Sequence, residues 1–186
     1  MKNIFSIVKL TVLLGVLLAV IYPLAIYGIA QLAPNSGKGE TISVNGKVVG
    51  YQKIGQKFDK SNYFWGRPSA VDYNAAGSAG SNKGPSNADY LAVVQKRIDT
   101  LLLAHPYLNK SDIPADMVTA SGSGLDPNIS VQGSKIQAKR IAEGRKISED
   151  KVLEVIQKNT KKPLLGMFGT EKINVLQLNI ELDKLK

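Results

Sequence analysis

Between Leu10 and Ala33 the chain has 24 consecutive residues without a charge, LTVLLGVLLAVIYPLAIYGIAQLA, of which Thr11 and Gln31 are the most polar. A bilayer core takes roughly 20 apolar residues as a helix, so this run can cross one with some tilt. Pro23 falls mid-run and is expected to kink the helix, which membrane helices tolerate better than soluble ones. Tyr27 is placed to meet the far interface. The competing reading is a cleaved signal peptide, with Lys2 and Lys9 as its basic leader and Gly28-Ile29-Ala30 as the small-x-small cleavage site. Signal cores run about 7–15 residues, so the length favours a retained anchor. The short lysine-bearing tail points to a cytoplasmic N-terminus and a single-pass protein of the inner membrane, with everything after Pro34 outside. The divisions expected are a tail at 1–9, a membrane helix at 10–33, a linker at 34–40 and one extracytoplasmic domain at 41–186.

The remaining composition removes whole classes of chemistry. There is no Cys, so no disulfide framework, thiolate metal site or cysteine nucleophile is available. The single His, His105, excludes a polyhistidine metal site and is the one imidazole a Ser/His/Asp triad would have to use. Residues 34–186 hold 22 of the 24 Lys and Arg and all 15 Asp and Glu, a balance of +7. Lys135, Lys139, Arg140, Arg145 and Lys146 crowd one segment, read as a solvated helix face. A membrane anchor argues for lipid as neighbour and against nucleic acid as partner.

The domain reads as α+β. Asn45-Gly46 between two β-rich runs, within TISVNGKVVGY, signals a hairpin with a type I′ turn. Phe58–Ala70 is aromatic and irregular. Ser86 or Asn87 caps a helix reaching Ala104, with Tyr90, Leu91, Val94, Ile98, Leu101 and Leu102 on its apolar face. His105-Pro106 ends it, where the helix dipole favours positive charge and a capping role. A second helix is expected over Val131–Gly144. A third opens at Ser148-Glu149-Asp150, buries Val152, Val155 and Ile156, and ends before Pro163. From Leu176 to Asp183 apolar and polar residues alternate, which predicts a half-buried strand. Strands at both ends with helices between are the expected plan.

Catalytic signatures are missing. No phosphate-loop pattern occurs, and Asp59-Lys60-Ser61-Asn62 misses two positions of the phosphorylated Asp-Lys-Thr-Gly motif of P-type pumps. Ser121-Gly122-Ser123-Gly124 could cradle an anion but is more often a tight loop. Asp116 and Asp126 could be paired carboxylates; capping and turn duty is the plainer reading. Residues alone therefore give an anchored, extracytoplasmic, non-enzymatic α+β domain, with a small-ligand binding module as the alternative.

Several motifs together are more specific. They are Tyr63-Phe64-Trp65-Gly66-Arg67-Pro68-Ser69-Ala70; Tyr73-Asn74; Gly80-Ser81-Asn82; the long run from Pro114 through Ser121, Gly122, Ser123, Gly124 and Asp126 to Ser130; and Asn174-Val175-Leu176-Gln177-Leu178-Asn179. In this order behind one span, the chain resembles the KdpC family, the C subunits of high-affinity potassium-transporting P-type ATPases. It departs from the family pattern at Asn128, where many members have His, so that position is read as shaping a loop. The resemblance implies a complex with a channel-like potassium-binding subunit, a P-type ATPase subunit and a small single-span subunit. It implies a C subunit without a hydrolytic centre or tightly bound cofactor, ATP and potassium being handled by the complex. It also implies a catalytic chaperone that raises the ATP affinity of the ATPase subunit, with Gln137 as its nucleotide contact. Cytosolic ATP and an outside Gln137 conflict, which leaves Gln137 as an ordinary exposed helix residue in the other reading. Contact with partner subunits is assigned to Gly15 and Ala19, a small-xxx-small pair in the span, and to Tyr63 and Arg67 outside. Phe64 and Trp65 are either part of that contact or core.

Overall fold

The computed structural model describes residues 2–185 and divides into two compact units, Met1–Glu40 and Thr41–Lys186. The outermost residues of the expected tail and domain, Met1 and Lys186, lie outside the described residues.

In the first unit one helix, Asn3–Ala30, is long and apolar enough to cross a membrane. Helix begins before the uncharged run, taking in Lys9, and stops short of Ala33. Its large apolar side chains, Ile4 through Ile29, are exposed. A π turn, Leu17–Ile21, joins α1 (Lys2–Val16) to α2 (Tyr22–Ala30). The Tyr22 N–H donates to the Leu17 carbonyl, five residues back. Pro23 then opens α2 directly after this turn, and its missing N–H leaves the continuous helix one donor short there. The widened turn stands where the sequence places a kink, and Val16 and Tyr22 on either side keep helical backbone angles. After Ala33 the chain makes a short 3-10 turn, Pro34–Gly37.

In the second unit β1 (Thr41–Val44) and β2 (Lys47–Tyr51) form the expected hairpin. Asn45 and Gly46 turn it with φ of 51° and 78°, the left-handed pair a type I′ turn demands. Then comes α3 (Ala88–Ala104), capped by the Asn87 side chain, which accepts the Tyr90 N–H at 2.9 Å. Leu101 is its buried anchor, Val94 and Ile98 pack against the core, and Leu91 is exposed.

The helix expected over Val131–Gly144 is two: α4 (Val131–Lys135) and α5 (Ala138–Arg145), broken at Ile136-Gln137. Gly133 weakens the first, and the Ser134 hydroxyl bonds back to the Val131 carbonyl at 2.7 Å. The break leaves Gln137 fully buried. Next, α6 (Glu149–Asn159) buries Val152, Val155 and Ile156 as expected and packs against α4, α5 and a last helix, α7 (Val175–Asp183).

That last helix corrects the expected C-terminal strand. Val175, Leu176, Leu178, Asn179 and Leu182 are buried, the i, i+3, i+4, i+7 stripe of a helix, while Ile180 is only half-buried. Asn179 supplies the missing stripe position, and read as polar it makes the pattern look alternating. The Asn174 side chain caps the helix by accepting the Gln177 N–H at 3.0 Å. Among the described residues the strands are the hairpin and one short antiparallel pair that the sequence does not announce, β3 (Asn128–Ile129) with β4 (Ile173–Asn174). The α+β class stands with helices dominant, around a core that includes Phe64, Ile129, Ile141, Ile156, Ile173, Leu178 and Leu182.

Candidate functional site

The aromatic motif, residues 63–70, belongs to no helix or strand. Its backbone groups must still be paired where they are buried, and side chains do the pairing. The Phe64 N–H donates to Asn179 Oδ1 at 2.9 Å, and Asn179 Nδ2 returns a bond to the Phe64 carbonyl at 3.1 Å. One residue on, the Trp65 N–H donates to Gln137 Oε1 at 2.8 Å, and Gln137 Nε2 donates to the Trp65 carbonyl at 3.2 Å. Two side-chain amides, from α7 and from the α4–α5 break, thus act as strand partners for successive residues. Gln137 Nε2 also donates to the Gly133 carbonyl at 2.9 Å.

Two guanidinium groups complete the frame. Arg140 donates to the carbonyls of Ser61 and Tyr63, and to Gln137 Oε1 at 2.9 Å. Its guanidinium carbon lies 4.2 Å from the Trp65 ring centre. Burial pushes its pKa down to about 10, still far above neutrality, so it remains a cation. Arg145 donates to the Asn62 carbonyl at 2.8 Å and to Asp183 at 2.7 Å, over the Tyr63 ring. The Tyr63 hydroxyl donates to Asp183 at 3.0 Å. Arg140 and Arg145 are therefore inward groups, which corrects the reading of the basic cluster as wholly a solvated face. Backbone carbonyls need fixed donors, and a planar fork supplies several at once.

His105 closes α3 as expected but does so uncharged. Its Nδ1 lies 2.8 Å from the Leu101 carbonyl and its Nε2 2.9 Å from Arg140 Nε. A carbonyl only accepts and a guanidinium only donates, so the proton sits on Nδ1 and the ring is neutral. Burial, foremost, and the Arg140 charge lower its pKa, outweighing the raising effect of the Leu101 carbonyl. The aromatic rings of Trp65 and Tyr107 meet it edge-on. The dipole argument for a positive His105 is thus overridden by desolvation and by the neighbouring cation. A group whose folded pKa is depressed below the ordinary 6.5 favours the unfolded state once it can protonate. Stability is therefore expected to be level above about pH 6.5 and to fall towards pH 5, above the carboxylate range. Urea unfolding followed by Trp65 fluorescence checks this, with His105→Gln removing the dependence. An unchanged midpoint across that window would count against it.

The remaining motif residues fix neighbouring loops. Arg67 pairs with Asp126 at 3.1 Å, both side chains about a quarter exposed, so the contact assigned to Arg67 by sequence already has an internal partner. Asp126 also accepts the Asn128 N–H at 3.0 Å, and Asp116 accepts the Ser130 N–H at 2.8 Å. Both carboxylates thus do turn and capping work. Asn128 enters β3 through that Asp126 bond. At Gly66 an added Cβ would come 2.7 Å from the Tyr73 hydroxyl, which donates to the Arg67 carbonyl at 2.6 Å. Gly124 has φ +67°, and a Cβ there would meet Val71 at 2.6 Å. Ser121–Gly124 is a tight loop: the Ser121 N–H goes to the Pro68 carbonyl and the Gly124 N–H to that of Ser121. Asn74 caps a short turn at Ala76, and Asn174 Nδ2 donates to the Gln52 carbonyl at 2.7 Å.

Several assigned residues do not come together. Gly15 lies in α1 with open space around it, and Ala19 in the π turn. Gln137 is fully buried, which corrects the exposed-helix reading, and both its amide atoms are engaged. Phe64 is fully buried core. An open groove of about 590 Å³ runs beside Arg67, Asp116, Asp126, Asn128 and Lys172. Among the described residues no three His, Asp or Glu side chains group to hold a metal ion. Sequence reasoning missed the organising role of Arg140, Arg145 and Asn179; the only signal was polar residues set at helical spacing among apolar ones.

Residues 4–184 match the family model KdpC, described as K+-transporting ATPase, c chain. The chain is 75% identical over its whole length, and that of its relative, to a potassium-transporting ATPase KdpC subunit of Flavobacterium johnsoniae. It is 74% identical to that of Flavobacterium psychrophilum, again over the full length of both. Across its full length it is 52% identical to the whole subunit of Bacteroides thetaiotaomicron. Matches that run from the apolar helix to the last helix establish that the chain belongs to the KdpC family of potassium-transporting ATPase subunits.

Proposed function

We propose that this chain is a non-catalytic subunit of a potassium-transporting ATPase complex. Its N-terminal helix anchors it, its Thr41–Lys186 unit lies outside the cytoplasm, and it acts through contact with the channel-like, ATPase and small single-span subunits. One observation carries the reading: the polar residues that chemistry would need are buried and already engaged, Gln137, Asn179 and Arg140 in holding residues 61–65 and His105 in holding Arg140. The catalytic chaperone role implied by the resemblance then runs through contact with the ATPase subunit, not through a nucleotide seated at Gln137. A domain across the bilayer acts on a cytosolic site only through an element that both sites bias. Tightly bound cofactors are not required, and ATP and potassium belong to the other subunits.

Topology tests the placement. A C-terminal tag is expected to be lost when protease is added to intact spheroplasts. A tag that survives until the membrane is permeabilised would invert the topology. The span is tested separately. Gly15 lacks a side chain where the helix surface is open, and membrane helices associate by close approach at such positions. Gly15→Ile with Ala19→Ile is expected to weaken co-purification of the other subunits severalfold, while the melting temperature of the domain stays put. Wild-type recovery of the complex would remove these residues from the interface.

A further inference from the structure

Residues 161–172 leave the core and return to it as a self-supporting hairpin. Lys161 and Lys172 exchange backbone bonds of 2.9 and 3.1 Å, and Leu164 and Phe168 exchange bonds of 3.1 and 3.0 Å. The Met167 N–H closes the turn on the Leu164 carbonyl at 3.2 Å. Its tip carries Leu164, Leu165, Met167 and Phe168, which are 70, 78, 74 and 62% exposed. Loop tips are normally small and polar. Leu165, moreover, holds φ 54° beside Gly166 at 74°, a conformation that bulky residues seldom adopt. The turn thus keeps four large apolar side chains away from the domain's own core.

We infer that this tip inserts into the interface of an anionic lipid bilayer. The base of the hairpin carries Lys161, Lys162 and Lys172 against one acid, Glu171, all exposed. An apolar tip with a basic rim fits the boundary between acyl chains and anionic headgroups. A protrusion needs no complementary cleft in lipid, whereas a folded protein partner would have to supply one. The inference rests on reading Asn3–Ala30 as a membrane anchor. Residues 31–40 then reach at most ~35 Å fully extended, so the domain stays near a bilayer surface and a weak insertion becomes effectively intramolecular.

The chain has no Cys, so a single cysteine can report its own surroundings. Leu165→Cys, Val20→Cys and Ser86→Cys are each labelled with an environment-sensitive fluorophore. The full chain is reconstituted in phosphatidylcholine bilayers with and without phosphatidylglycerol. With phosphatidylglycerol the Leu165 label is expected to shift to the blue, resist iodide and be quenched by spin-labelled lipid, while the Ser86 label stays aqueous. Replacing Lys161, Lys162 and Lys172 by Gln is expected to cut the ratio of inserted to free tip roughly fivefold per lysine. A Leu165 label open to iodide while the Val20 label is lipid-protected overturns this inference alone. A Val20 label open to iodide overturns the anchor and the inference with it. Protection of Leu165 that appears only when the other subunits are co-reconstituted would assign the tip to a protein partner and overturn it too.

Discussion

Replacing Arg140 by Ala is expected to lower the unfolding free energy of the domain by about 3–5 kcal/mol, the range for breaking a buried charged network. That corresponds to a fall in melting temperature of roughly 10 °C for a chain of this size. Arg140 is 8% exposed, and its side chain donates to Ser61, Tyr63, Gln137 and His105 while stacking on Trp65. Its removal orphans two backbone carbonyls and one ring nitrogen, each costing about 1–3 kcal/mol if left dry, and takes one of two donors from the Gln137 amide oxygen. Desolvation of the cation works in the opposite direction and sets the lower end of the range. Arg140→Lys is expected to recover little, because a single ammonium cannot address the four partners at once. Thermal unfolding followed by Trp65, the one Trp in the chain, reads the effect at the residue concerned. A loss below about 1 kcal/mol would show that burial of the charge cancels its bonds.

The same network explains which parts of the fold were legible in the sequence. The hairpin at Asn45-Gly46 and helices α3 and α6 follow from local rules: a turn that needs positive φ, a side-chain cap, and apolar residues at helical spacing. Such signals lie within a few residues and do not depend on distant packing. The C-terminal helix was misread because Asn179 is a polar residue whose job lies 115 residues away, against the backbone of Phe64. Val131–Gly144 was misread for a similar reason, since the break serves Gln137 and its bond to Trp65, 72 residues distant. Arg140 and Arg145 look like surface charge in a basic run and reach the carbonyls of Ser61, Asn62 and Tyr63 only in three dimensions. The motif residues could be picked out one by one. Their partnership could not, because long-range pairing of side chain to backbone leaves no period in the sequence.

Gln137→Ala separates the structural role of this residue from a nucleotide contact, and its effect is expected to be nearly as large. The substitution leaves the Trp65 N–H and carbonyl without partners and takes one acceptor from Arg140. At about 1–3 kcal/mol for each dry polar group, a loss of about 2–4 kcal/mol is expected. Asn179→Ala is expected to cost a similar amount through Phe64. The two amides hold adjacent peptide units, so the double variant is expected to lose less than the sum, because a segment released by one change has little left for the other to release. Nucleotide behaviour supplies the second readout. A Gln137 that pairs with an adenine edge would, when replaced, raise the KM for ATP of the assembled complex and leave the melting temperature alone. The structural reading requires the reverse: the melting temperature falls, and complexes that still assemble keep the KM. Calorimetric titration of the isolated chain with Mg-ATP is expected to show no saturable binding below millimolar ligand. A micromolar constant that disappears with Gln137→Ala would mean that the amide leaves Trp65 to receive the base, and the clamp would then be a closed state of a nucleotide site.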